Sequence, residues 1–353
     1  MDRTRLDLMF ANKDVEVLIS EAPQTRIWYA NVQTTDGFIA IEKDKATLFV
    51  DGRYIEYARN NAKNVDIVLI EGNSLKEWFT KRNYKKIALE KNYLTKEVQD
   101  RILDLVQPEK IEWVDAQELR IVKSKDELKL MQKVIDISLS ALEEFKSWVK
   151  PGITEKQAGA YLNFLLKKHG GDKEGFDEII ATAASSAEPH HHTTDVELVE
   201  GALLKVDFGA KYKGYTADIT RTFILGGEDK CIDPKMLEIL NIVKESAAAG
   251  RKAVRPGIKA SEVDKVCRDY IKAKGYGQYF VHSTGHGLGI DVHELPRISP
   301  MSDIVLEPGM ILTVEPGIYI EGLGGARIED DVLVTENGHY VFSRPEENNE
   351  TIF

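Results

Sequence analysis

From residue 1 to about residue 120, short β-branched apolar runs alternate with segments whose apolar positions recur at helical spacing. Val15–Ser20, Phe38–Ile41, Ala46–Val50, Val65–Ile70, Lys86–Leu89 and Ile111–Val114 read as strands. Tyr54–Ala62, Leu75–Lys81 and Lys96–Val106 read as helices between them. This alternation predicts a small α/β domain over residues 1–120. A different grammar begins near residue 121. Ser124-Lys-Asp-Glu127 has the form of a capping box, and the periodic stretch Leu128–Trp148 after it predicts a long helix. Lys150-Pro151-Gly152 ends that helix, because proline cannot continue it. Residues 121–353 then form a second domain with an internal echo. Val149-Lys-Pro-Gly-Ile153, a helical stretch and Gly170 recur as Val254-Arg-Pro-Gly-Ile258, a helical stretch and Gly275, both at an offset of 105. A duplicated domain of this kind presents a cleft between its halves as the place for a site.

Composition narrows the classes. With 47 Lys plus Arg against 58 Asp plus Glu, the formal charge of −11 repels a phosphate backbone, which argues against a nucleic-acid partner. No apolar run approaches the ~18 residues of a membrane span, and charges interrupt the first 16 positions where a secretory signal would be apolar. The expectation is a cytoplasmic chain. Only Cys231 and Cys267 occur, far apart, so neither a disulfide framework nor a thiolate metal site is implied.

The candidate chemistry lies in five residues: Asp207, Asp218, His286, Glu315 and Glu329. Leu203-Leu-Lys-Val-Asp-Phe-Gly209 is an apolar strand that ends in a carboxylate, and Tyr215–Phe223 is its return strand. A two-residue turn at Tyr212 and Lys213 predicts Asp207 directly opposite Asp218 on one face. Two carboxylates that close repel, and both stay ionised only with a cation between them. Met310–Tyr319 and Ala326–Thr335 repeat the arrangement around Glu315 and Glu329. Their separation of 14 is even, so the connection between them must be odd in length or bulged. His286 sits among Gly285, Gly287 and Gly289, which permit close backbone approach. Four carboxylates and one imidazole suit a pair of hard or borderline divalent ions, Mn²⁺ first, with Co²⁺ or Zn²⁺ as alternatives, and the implied chemistry is hydrolysis.

Together, Asp207-Phe-Gly, Asp218-Ile-Thr-Arg-Thr, Gly-His286-Gly with Val-His293-Glu, Glu315-Pro-Gly and Arg327-Ile-Glu-Asp resemble the pita-bread metallopeptidases. The closest resemblance is to the aminopeptidase P and prolidase branch, and it spans nearly the whole chain, including a creatinase-like N-terminal domain. It implies a pseudo-twofold α+β catalytic domain that hydrolyses the N-terminal Xaa-Pro bond of proline-containing peptides, commonly as a homodimer. By the same resemblance, Asp218 and Glu329 bridge two ions, Asp207 serves one, and His286 with Glu315 serves the other. Glu315 is also the general base. His190, His282 and His293 position the substrate and stabilise the intermediate, Arg327 orients nearby carboxylates, and Tyr215 joins the substrate-binding residues. His191 and His192 have no counterpart and are expected to be solvated.

The rival readings are weaker on the residues. A non-catalytic relative would be expected to lack some of the five ligands, and methionine aminopeptidase lacks the first ~120 residues. Gly285-His-Gly-Leu-Gly289 is not a dinucleotide fingerprint, and no Gly-x-Ser-x-Gly elbow occurs. Within the branch, Asp51-Gly-Arg-Tyr54 resembles the corresponding turn of aminopeptidase P. A prolidase requires an arginine, expected to be buried, for the free carboxylate of a dipeptide, and Arg297 is the candidate.

Overall fold

The computed structural model describes residues 1–348 and residue 352. The chain divides into two compact units, Met1–Arg120 and Ile121–Phe353.

The first unit is a six-stranded mixed sheet in the order Asp66–Leu69, Ala46–Val50, Phe38–Glu42, Val17–Ser20, Lys86–Glu90, Lys110–Val114. Val17–Ser20 runs antiparallel to Phe38–Glu42 and parallel to Lys86–Glu90. All six predicted strands and the three predicted helices form, with ends shifted by at most two residues. Three helices that the apolar pattern did not signal also form: Thr4–Lys13, Pro23–Ala30 and the single turn Ala116–Arg120. On one side of the sheet Phe38 and Phe49 stack at 4.3 Å between ring centroids, with Phe79 against both.

The second unit opens with the helix Lys125–Trp148. Glu127 accepts hydrogen bonds from the backbone N–H of Ser124 at 2.9 Å and from its hydroxyl at 2.6 Å, so the helix start is held as the capping pattern requires. The helix ends at Val149, before Pro151. Next comes Glu155–Lys168, then Gly170 at φ 105°. The echo is realised in space: Pro234–Ala253 ends at Val254, Ala260–Ala273 follows, and Gly275 has φ 89°. The helices Glu155–Lys168 and Ala260–Ala273 lie 105 positions apart at both ends.

Each helix pair backs a set of strands. Ile179–Thr182, Leu203–Phe208 and Ile219–Ile224 form an antiparallel sheet in the first half. In the second half Glu294–Ile298, Gly285–Gly287, Ile311–Val314, Asp330–Val334 and His339–Val341 form a five-stranded sheet. A two-stranded ribbon, Gly317–Ile320 with Gly324–Arg327, extends it. The halves are stitched through backbone, since the N–H of Glu329 donates to the carbonyl of Thr220 at 3.1 Å. This is the pseudo-twofold pita-bread arrangement that the motifs implied.

The two hairpins that carry carboxylates differ from each other. In the second, the three-residue connection Glu321-Gly-Leu323 joins Ile320, paired with Gly324, and the same register continues through Val314 opposite Asp330. Glu315 and Glu329 are therefore directly across from one another, at an odd-length connection. In the first hairpin the expected opposition of Asp207 and Asp218 does not occur. The turn is centred on Lys213 and Gly214, at φ 49° and 89°, so Tyr212 pairs with Tyr215 and Asp207 pairs with Thr220. A turn of this hand needs positive φ at both central residues. Gly214 supplies one at no steric cost, which draws the turn one position along the chain and slides the register with it.

Candidate metal centre

The ladder of the first hairpin breaks between Thr216 and Ile219. Asp218 lies in that break, with its backbone N–H donating to Asp331 at 3.3 Å. The break keeps Asp218 on the face that Asp207 and Thr220 share. His286 is presented by a strand squeezed between two neighbours. A Cβ on Gly285 would lie 2.0 Å from the carbonyl oxygen of Thr313, and one on Gly287 would lie 2.0 Å from that of Leu295. Only glycine fits on either side of the histidine.

The side chains converge. One ligand atom each from Asp218, His286 and Glu329 lie within 4.8 Å of one another. His286 Nε2 is 3.5 Å from Asp218 Oδ2 and 3.4 Å from Glu315 Oε1. Its Nδ1 is 3.0 Å from the carbonyl of Gly287, which places the proton on Nδ1 and leaves the Nε2 lone pair facing the carboxylates. Glu329 accepts a 2.5 Å hydrogen bond from Thr220 Oγ1. Arg327 pairs with Asp207 Oδ2 and lies 4.0 Å from Glu315.

Electrostatically the cluster is a group of buried carboxyls that hold on to their protons. Burial, and then the charges of Glu329, Asp207 and Glu315, hold Asp218 well above the usual carboxylate range. Burial and neighbouring carboxylates do the same to Glu329. Glu315 is pushed up to about 8, chiefly by burial, against the opposing pull of Arg327. Burial keeps His286 neutral, lowering it to about 4. One oxygen of Asp207, Oδ1, is buried with no protein donor. An unanswered buried carboxylate oxygen, three carboxyls that cannot all ionise together and an aimed neutral imidazole form the donor set a hard divalent ion would satisfy.

Around this cluster runs a hydrogen-bonded chain. Arg327 donates to Tyr319 Oη at 2.9 Å, and Tyr319 Oη lies 2.8 Å from His282 Nε2. His282 Nδ1 is 2.7 Å from the carbonyl of Ser283, so the ring is a neutral tautomer that accepts from tyrosine. Burial and the charge of Arg327 lower His282 to about 3. His293 packs edge-on to His286 at 4.3 Å, and burial with the charge of His190 lowers it. His190, exposed on the loop after Pro189, influences both His282 and His293, so the three candidate substrate histidines face one region.

Other candidates are placed differently. Tyr215 is 5% exposed and donates to Glu127 at 3.0 Å, which ties the hairpin to the start of the long helix and does not offer the ring to a substrate. His191, expected in solvent, is buried between Glu155 and Glu188; His192 is exposed. Arg297 is exposed on Glu294–Ile298, not the buried guanidinium a dipeptide carboxylate would call for. Tyr319 was missed by the motif reading, although it stands four positions after Glu315, and period-two alternation puts such residues on one face.

Comparison with known proteins agrees with this geometry. Residues 129–336 match the family model of metallopeptidase family M24, and residues 3–122 match the creatinase/prolidase N-terminal domain. An Xaa-Pro dipeptidase of Pyrococcus furiosus is 35% identical over 96% of this chain and 93% of its own. The structure of an Xaa-Pro dipeptidase from Bacillus anthracis superposes with TM-score 0.90 at 35% identity, covering 98% of this chain and 97% of that one. That of an X-Pro aminopeptidase from Thermotoga maritima gives TM-score 0.87 at 31% identity, covering 94% and 96%. The chain thus belongs to metallopeptidase family M24, as a metal-dependent hydrolase that uses divalent ions and carries a creatinase/prolidase-type N-terminal domain.

Proposed function

We propose that the protein is an Xaa-Pro aminopeptidase, which removes the N-terminal residue of a peptide whose second residue is proline. The observation that carries this reading is the convergence of Asp218, His286 and Glu329, with Glu315 and the half-answered Asp207 beside them. Asp218 and Glu329 would serve two ions jointly, Asp207 one of them, and His286 with Glu315 the other. Mn²⁺ is the preferred ion for so oxygen-rich a set, with Co²⁺ or Zn²⁺ able to replace it. When bound, the ions supply an acidified water and positive charge to oppose the developing oxyanion.

The protein's own groups do the rest. Glu315 takes the proton of the attacking water and returns it to the departing proline nitrogen, a secondary amine that leaves poorly unless protonated. Arg327, anchored on Asp207 and Tyr319, holds those groups in register. His190, His282 and His293 hold the substrate carbonyl and its neighbours.

The dipeptidase reading is favoured by the names of the Pyrococcus and Bacillus proteins and by Arg297, four residues after His293. The exposure of Arg297 favours the aminopeptidase, because a bidentate clamp gains strength from desolvation. The ratio of kcat/KM for Xaa-Pro to that for Xaa-Pro-Xaa and longer peptides decides between them. Cleavage of tripeptides and longer chains at least as fast as of dipeptides is expected. Activity confined to dipeptides, and lost in Arg297→Ala, would assign the enzyme as a prolidase. The reading places the enzyme in the cytoplasm as a homodimer, which sedimentation of the purified protein tests.

A further inference from the structure

The loop that carries His190 is clamped on both sides by buried polar side chains. On one side Lys205, wholly buried in the strand Leu203–Phe208, donates to the carbonyls of Ser186 at 3.1 Å, Glu188 at 2.5 Å and Pro189 at 3.4 Å. Arg327 also donates to the carbonyl of Pro189, at 3.1 Å. On the other side stands His191, 7% exposed. Its Nε2 is 2.8 Å from Glu155 Oε2 and its Nδ1 is 2.7 Å from Glu188 Oε2. Glu155 is itself wholly buried. It accepts from the N–H of Thr182 at 3.1 Å, Ser185 Oγ at 2.6 Å, and the N–H and hydroxyl of Thr194 at 3.0 and 2.7 Å. One carboxylate thus fastens both ends of the segment 182–194, and His191 ties Glu188 within it to the same carboxylate.

The protonation state of His191 follows from its partners. An ionised carboxylate only accepts, whereas a neutral imidazole has one donor and one acceptor nitrogen. Two carboxylates at hydrogen-bond distance therefore require both ring nitrogens to carry protons. The charged groups that face the ring are Glu155 and Glu188, with Lys205 beyond the Glu188 carbonyl.

We propose that His191, held as an imidazolium between Glu155 and Glu188, is a positioning residue that fixes the Pro189–His190 segment so that His190 faces the substrate. The role rests on the Xaa-Pro peptidase reading for its consequence in turnover, but its structural content can be measured without turnover. The neighbour of a residue pinned on both flanks loses most of its backbone freedom, and a preorganised donor binds better than a mobile one.

The test uses His191→Gln and, because a core change can also disturb folding, Glu188→Gln, whose side chain is 69% exposed. In the zinc-loaded, ¹⁵N-histidine-labelled protein at pH 7.5, His191 is expected to show both ring nitrogens protonated. The ring signals of His190 are expected to move in both variants. A neutral His191, or His190 signals that stay in place, overturns the proposal. In turnover, His191→Gln should lower kcat/KM about tenfold, the scale of one lost hydrogen bond to a charged group, and Glu188→Gln should lower it less. In a His190→Ala background neither change should cost anything further. Losses that multiply with that of His190→Ala mean the effect does not pass through His190, and they overturn it. If the unaltered enzyme cleaves no Xaa-Pro peptide, the activity reading fails alone and the His190 signals decide.

Discussion

At the residue scale, the site is a set of groups whose charges are compatible only in company. Asp218 is buried among Glu329, Asp207, Glu315 and Asp331, all of which raise it, so a shared cation is its natural partner. Asp218→Ala is expected to lower bound metal, read by elemental analysis, and to cut kcat/KM by about 10³-fold or more. Unchanged metal content with full activity would remove Asp218 from the centre. His293 is a different kind of residue, its ring packed edge-on to that of His286. His293→Ala should reduce kcat/KM by about 10²-fold, the cost of one donor to a developing oxyanion, while metal content stays constant. Loss of metal in that variant would make it a ligand. The candidate ligands stood out because carboxylates on apolar strands are costly without a reason. Tyr319, Thr220 and Lys205 were not, since nothing in a tyrosine, a threonine or a strand lysine distinguishes one that faces a site from one that faces the core.

Elements were legible where hydrophobic period and capping chemistry agreed. The strands of residues 1–120 and the helix after Ser124 are such cases. The short helix Pro23–Ala30 was hidden because its first-turn proline reads as a breaker as readily as a starter. With Glu315 and Glu329 taken as opposed, their even separation left an odd or a bulged connection, and the structure has the odd one, Glu321-Gly-Leu323. The turn of the Asp207 hairpin moved by one position, and the partner of Asp207 by two, because the turn was settled by which residue would accept positive φ, and Lys213 accepts it at a cost. That cost is measurable. Lys213→Asn would give the Asn-Gly pair this turn favours and should stabilise the protein by about 0.5–1 kcal/mol, read as a raised midpoint in urea. Activity should be unchanged. A lowered midpoint would mean that the contact of the Lys213 ammonium with the Tyr212 ring, 5.3 Å from its centroid, outweighs the backbone strain.

At the scale of the whole catalytic unit, the ligands come from both duplicated halves. Of the five proposed ligands, Asp207 and Asp218 belong to the first, and His286, Glu315 and Glu329 to the second. An ion held among them ties the halves together, and binding to the folded state alone stabilises it, by about 2.7 kcal/mol at a hundred times Kd. The size of that gain must depend on pH. Asp218 and Glu329 are raised above their ordinary values and Glu315 to about 8, so without metal these groups retain protons at pH values where the unfolded chain has released them. At these three carboxyls the folded apo protein binds more protons than the unfolded chain above about pH 4.5, and they erode its stability as pH rises toward 8. The metal-loaded protein holds the same groups ionised and escapes that loss. His286, lowered to about 4, is neutral in the folded protein with or without metal across this window, so it releases no proton when the ion binds. The increment in Tm on adding Mn²⁺ to metal-stripped protein should therefore grow from pH 5 to pH 8, with release of protons on binding. Calorimetry at fixed free Mn²⁺ measures both, and an increment that is flat or shrinks over that range would mean that the buried carboxyls are not the groups that take the ion.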